Sequence, residues 1–149
     1  GGSTGWHRYK LIDLAVQNLR QWALLGTKST ENWGPGLHDI TNQYILEGVR
    51  GGLITMVLFI ALLIMGISNI LFVSMNSTSR DLKIFTWCIM VAMLGHAVGF
   101  IGVSYFGQTT LLWYLMLAIT GFVTQHKNYL QKVSILETRA PAAIMQPAF

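Results

Sequence analysis

Charged residues are scarce in this 149-residue chain, at 11%, whereas soluble domains usually carry about 25%. None lies between residues 51 and 79, and none between residues 84 and 125. This scarcity argues against a soluble domain. A helix in lipid needs about 20 mainly apolar residues, because its backbone groups must be satisfied within the helix. The sequence therefore predicts an all-α membrane protein with about three spans, at 53–75, 84–106 and 109–124.

Cysteine occurs once, at Cys88, so an internal disulfide is excluded. Its place in the second predicted span is typical of a small buried apolar residue. A signal peptide is missing too, because residues 1–36 contain no basic region followed by an apolar core. A chain that begins outside the membrane without such a signal is consistent with the closing part of a longer protein. The sequence predicts no cofactor and no metal site.

The basic residues that do occur predict the topology. Arg80 and Lys83 lie between the first two predicted spans, and Lys127, Lys132 and Arg139 follow the third. The positive-inside rule places both regions in the cytoplasm of a bacterial inner membrane. Residues 1–52 are then an extracytoplasmic segment, residues 53–124 the transmembrane module and residues 125–149 a cytoplasmic tail. The net charge of +4 therefore reflects topology, and no nucleic-acid partner is predicted.

The sequence of the extracytoplasmic segment predicts two helices joined by a loop. An amphipathic helix from Arg8 to Leu25 is expected along the membrane surface or on neighbouring spans. Its predicted apolar face, at helical spacing, is Ile12, Ala15, Val16, Leu19, Trp22 and Ala23. The glycine-rich segment 26–36 ends this helix. Asp39 can cap a short second helix that runs to about Val49, and Gly51-Gly52 is expected to form a hinge before the first span.

The order of these features resembles a known family. "WHRYKLIDLAVQNLRQWALLGT" has a histidine-arginine pair opening a surface helix, and "HDITNQYILEGVRGGLITMVLFI" leads a polar helix through glycines into a span. Together with "GHAVGFIGVSYFGQTTLLWY", they resemble the last large extracytoplasmic loop and closing spans of the O-antigen ligase and polymerase-like family. The resemblance covers about residues 6–124 and corresponds to the C-terminal third of a family member. It implies glycan transfer from an undecaprenyl-diphosphate carrier to an acceptor hydroxyl, without a nucleotide sugar or a required metal.

The resemblance also implies site residues. Arg8 matches the loop arginine of the family, whose cation would offset charge on the diphosphate leaving group; the alternative is an arginine that reaches lipid headgroups. The family commonly has histidine followed by asparagine at the start of the second helix, whereas this chain has Thr41-Asn42. His38, one turn earlier, would be the substitute catalytic base, or is a loop histidine without a role. Asn42 would hold a substrate oxygen or serve only the start of the helix.

A second pattern lies inside the second predicted span. Ala92, Gly95, Gly99 and Gly102 recur every three or four residues and predict a smooth face for helix packing. His96 lies beside that face, and an intramembrane histidine needs a partner. The partner is a hydrogen-bonding group on another helix, or the metal of a pigment or haem.

Two functions follow from these patterns. The chain is a fragment or remnant of a lipid-linked glycan transferase that is inactive in isolation, with membrane lipid or a lipid-linked diphosphate glycan as ligand. Alternatively, it is a small non-catalytic accessory subunit that packs on other membrane helices of a larger complex.

Overall fold

The computed structural model describes residues 4–33 and 40–144, with side chains as far as Lys127. Every regular element in these two ranges is helical, so the all-α prediction is confirmed there. The helices are α1 (Thr4–Gln17), α2 (Leu19–Trp22), a single 3₁₀ turn (Glu31–Trp33), α3 (Gln43–Met75), α4 (Arg80–Gly102) and α5 (Gln108–Ile144). The helix cap predicted at Asp39, which lies outside the described residues, is wrong: residues 40–42 are not helical, and Asn42 caps α3.

By length and composition, two helices in the described part of the chain could cross a membrane, α3 and α4. Only 22% and 28% of their most apolar stretches are buried within the chain. The core helix of a soluble protein would be mostly buried, so the remaining apolar surface fits lipid or further helices.

A break at Gly52 divides α3 into an outer, polar part and a long apolar part. Gly52 has φ 85° and ψ 174°, a conformation that glycine adopts readily. The loop after α2 replaces the helical hydrogen bonds lost at the break. The Leu53 N–H donates to the Ala23 carbonyl at 2.9 Å, and the Val49 carbonyl accepts from the Thr27 N–H at 2.7 Å. The hinge predicted at Gly51-Gly52 is thus seen as a kink that anchors the N-terminal segment.

The N-terminal helical segment packs on α3 through part of the predicted face, at Ala15 and Trp22, together with Leu11, which was not predicted. A turn at Asn18 separates α1 from α2, where the sequence predicted one helix. The buried residues are Leu11, Ala15 and Trp22, whereas Val16 and Leu19 of the predicted face are exposed. The Trp22 indole N–H donates to the Ala15 carbonyl at 2.8 Å, and its ring lies against Gly48. Helix α1 carries apolar side chains on several of its faces, so the spacing of these residues alone could not identify the face that packs.

Helix α4 is displaced by about one turn from the span predicted at 84–106. The Ser79 side chain caps its start by accepting from the Leu82 N–H, and the backbone becomes extended at Val103. Helices α3 and α4 pack closely, because Gly66 leaves room for the Met93 side chain. The shared core includes Leu63, Ile70, Val73, Ile89, Met93 and Trp113.

Helix α5 follows the full length of this pair and extends well beyond the end predicted at residue 124. Near its start, Trp113 packs on Phe100. Midway, the Thr120 hydroxyl contacts the Met93 sulfur at 3.3 Å. Farther along, the Lys127 ammonium lies 5.1 Å from the centre of the Phe72 ring.

Candidate functional site

A cavity of about 270 Å³ lies between α3, the α4–α5 connection and the start of α5. Its walls combine apolar side chains, including Phe59, Phe100 and Trp113, with a few groups that can form hydrogen bonds. Those groups belong to Gln43, Glu47, Thr55, Tyr105, Thr110 and Tyr114. Ligand pockets typically have this composition, a mainly apolar lining with a few placed polar groups.

A chain of hydrogen bonds positions a carboxylate at this cavity. The Tyr105 N–H donates to Oε1 of Gln43 at 2.6 Å, and Nε2 of Gln43 donates to Oε1 of Glu47 at 2.7 Å. Gln43 is buried, so its amide cannot turn without losing both bonds. A carboxylate accepts at both oxygens, so Glu47 can still accept a hydrogen bond from a ligand hydroxyl.

Asn42 joins the start of α3 to the end of α4. Its Oδ1 accepts from the Ile45 N–H at 3.1 Å, and its Nδ2 donates to the Ile101 carbonyl at 2.9 Å. Two residues along, the Tyr44 hydroxyl donates to the Ala97 carbonyl at 2.7 Å. Both ends of the Asn42 amide are therefore engaged in holding α3 against α4, which fits the helix-start alternative for this residue.

His96 contacts the connection that follows its own helix. Its Nδ1 lies 2.6 Å from the Tyr105 hydroxyl, and its ring packs against Phe100 and Trp113. Burial raises the pKa of the Tyr105 phenol, so the phenol keeps its proton at neutral pH and can donate it to Nδ1. The geometry thus supplies the hydrogen-bonding partner that an intramembrane histidine needs. In the part of the chain that the structure describes, no three metal-ligating side chains come together.

Of the other two residues implied by the family resemblance, Arg8 is described and is not among the lining residues of this cavity. Arg8 is exposed on α1, and its Nη1 would lie 3.6 Å from a β-carbon placed on Gly102, the last residue of α4. Arg8 therefore lies over the end of α4. His38 lies outside the described residues.

The small-residue face of α4 is only partly covered by this chain. Nothing described lies within 4 Å of a β-carbon placed on Gly95, whereas one on Gly99 would be 3.5 Å from the Tyr105 hydroxyl. Ala92 is half-buried. The centre of the face is thus open to lipid or to another helix.

The described residues thus form an all-helical structure in which two helices are able to cross a membrane. A carboxylate, that of Glu47, is held in position at one end of these helices. No family model, curated protein or solved structure matches the chain. Sequence reasoning did not select Gln43, Glu47 or Tyr105 as site residues. One signal was available: Gln43 and Glu47 are four residues apart and so share a helical face just before the apolar run.

Proposed function

We propose that this chain is the closing membrane module of an O-antigen ligase or polymerase-like enzyme, which transfers a glycan from an undecaprenyl-diphosphate carrier. In this proposal the isolated module is inactive. The observation that carries the proposal is the Tyr105–Gln43–Glu47 chain of hydrogen bonds at a cavity with aromatic walls. A fixed carboxylate can accept the proton or hydrogen bond of an attacking hydroxyl.

The chemistry of the cavity suits a sugar. Glu47 and Gln43 offer hydrogen-bonding groups for ring hydroxyls, and Tyr105 and Tyr114 add aromatic surface for the apolar faces of the ring. Arg8, over the end of α4, is the nearby permanent cation available for a diphosphate. In this arrangement Glu47 takes the place that the sequence suggested for His38.

The membrane arrangement in this proposal has three spans, with α5 as the third. The contacts of α5 with α3 and α4 from Trp113 to Lys127 support this third crossing. The outer segment and cavity face the periplasm, and the turn at Arg80 faces the cytoplasm, in accordance with the positive-inside rule.

The module is inactive alone because it forms only one wall of a site. Transfer requires two substrates held in reacting geometry, and positioning supplies much of the rate. The cavity of about 270 Å³ is open and holds at most a sugar unit, so further spans are needed to enclose carrier and acceptor.

The proposal predicts binding without turnover. The purified chain would be reconstituted with an undecaprenyl-diphosphate-linked oligosaccharide and an acceptor, and both bound radiolabel and transfer product would be measured. We expect no product, and we expect Glu47→Gln to weaken binding about tenfold to a hundredfold, since a charged hydrogen bond contributes roughly 1.5–3 kcal/mol. Arg8→Ala should also weaken binding.

Glu31→Gln is the matched control, because Glu31 is an exposed carboxylate in the 3₁₀ turn away from the cavity. Equal binding by the Glu47 and Glu31 variants would show that the Glu47 cavity does not bind the lipid-linked oligosaccharide. Turnover by the isolated chain would overturn the statement that the module is inactive.

An accessory subunit is the second candidate, and the open centre of the α4 small-residue face favours it. Gly95 allows another helix to approach closely there. The reading frame upstream of this chain separates the two candidates: further spans in frame support the transferase module, and a nearby start codon supports the separate subunit.

A further inference from the structure

A second cavity lies at the opposite end of the helices, around the turn between α3 and α4. Its volume is about 640 Å³, within the range of ligand pockets. Its walls are Phe72, Asn76, Ser77, Thr78, Ser79 and Leu82, together with Lys127 of α5. It shares no residue with the cavity at Glu47, and it plays no part in the proposed glycan transfer.

The ammonium of Lys127 is the unusual feature of this cavity. Its Nζ is buried and, among the described residues, is the one buried side-chain nitrogen or oxygen without a hydrogen-bond partner. The Phe72 ring, 5.1 Å away, compensates part of the charge. An ammonium has three donors, and a buried cation without hydrogen bonds is costly. Such a group in a native protein calls for a partner from outside the chain.

We infer that this cavity binds a phosphate group, and that the Lys127 side chain, whose Nζ is covered in this structure, turns toward the cavity and becomes the principal ligand. The Thr78 hydroxyl and the second amide hydrogen of Asn76 also line the cavity and can donate to phosphate oxygens, while the Ser77 hydroxyl donates to the Ser79 carbonyl. The neighbouring carboxylate, Asp81, is not part of the lining, while Arg80 and Lys83 add positive charge on the same turn. The phosphate belongs to an anionic lipid headgroup at the membrane surface or to a soluble phosphate.

Native mass spectrometry of the detergent-purified chain tests this site and separates the two sources. One arm adds phosphatidylglycerol, a second adds phosphatidylcholine, which carries phosphate but no net charge, and a third adds inorganic phosphate alone. Three variants accompany the wild type: Lys127→Gln, Lys127→Arg, and Lys83→Gln as the matched control. Lys83→Gln removes the same charge from an exposed position on α4 outside the cavity lining. Circular dichroism establishes that each variant retains the helical fold.

We expect one tightly held phosphatidylglycerol, about tenfold or more weaker in Lys127→Gln, retained in Lys127→Arg and unchanged in Lys83→Gln. The same pattern with inorganic phosphate would assign the site to a soluble phosphate. Equal loss in Lys127→Gln and Lys83→Gln would show only general attraction to basic residues and would overturn the inference. Failure of all three additions to bind would overturn it too, leaving water as the partner of Lys127.

Discussion

Tyr105 links two elements through different atoms. Its backbone N–H holds Gln43 of α3, and its hydroxyl meets His96 of α4. Tyr105→Phe keeps the first contact and removes the second, leaving Nδ1 of His96 without this partner. Because the pair is partly buried, we expect a loss of about 0.5–1.5 kcal/mol in the free energy of unfolding, the usual net contribution of one hydrogen bond. Thermal unfolding in detergent measures the change.

Tyr114→Phe is the control for this substitution, because it removes the same hydroxyl from a residue that is 60% exposed. The two variants should differ clearly in melting temperature. If both melt as the wild type does, the hydrogen bond to His96 contributes nothing to stability.

Individual residues differ in how far the sequence could predict their roles. His96 was recognisable because a histidine in an apolar run needs a partner, and Asn42 because it precedes a helix. The partner of Gln43 was not predictable, since Tyr105 lies 62 residues away in sequence and no local periodicity connects them. The carboxylate of Glu47 becomes a site residue only through that distant contact.

The kink in α3 is the main feature at the scale of elements. A β-carbon on Gly52 would collide with the Leu24 carbonyl oxygen, and φ 85° is unfavourable for alanine. Gly52→Ala should therefore destabilise the chain by more than about 1 kcal/mol and release the α2–α3 loop. Thermal unfolding and proteolysis between α2 and α3 measure these two effects.

Gly121→Ala is the matched control. Gly121 lies within α5 with nothing described inside 4 Å of an added β-carbon, so alanine should stabilise the helix by about 0.5–1 kcal/mol. A neutral Gly52→Ala would mean that α3 can straighten without cost, and the kink would then not anchor the outer segment.

The helices themselves were largely predictable, but their ends were less so. Long uncharged runs predicted helices close to α3, α4 and the first half of α5. The predicted second span ran four residues too far, because the extended backbone from Val103 is set by contacts with α3 through Tyr105. The predicted packed face of α1 and α2 was right at Ala15 and Trp22 and wrong at Val16 and Leu19, because the Gly52 kink fixes where this segment meets α3.

At the scale of the whole molecule, the number of membrane crossings depends on α5. This helix is less apolar than α3 and α4 and does not qualify as a span by composition. From Gln108 to Lys127 it nevertheless rises about 29 Å at roughly 1.5 Å per residue, close to the thickness of about 30 Å of the hydrocarbon core. This length and its contacts with α3 at Trp113 and Lys127 are the basis for proposing a third crossing.

Three labelled positions test this topology in spheroplasts, in a Cys88→Ala background. We expect Ser29→Cys to react with an impermeant maleimide, while Thr78→Cys and a protease-sensitive tag at the C-terminus become accessible only after permeabilisation. Both cysteine positions are exposed, so a difference in labelling reports the side of the membrane, and the Cys88→Ala chain alone gives the background. A tag accessible together with Ser29→Cys would mean that α5 returns without crossing. Labelling of Thr78→Cys but not of Ser29→Cys would mean that the orientation is the reverse of the expected one. The cavity proposed to bind a glycan would then face the cytoplasm, where the proposed transfer reaction does not fit.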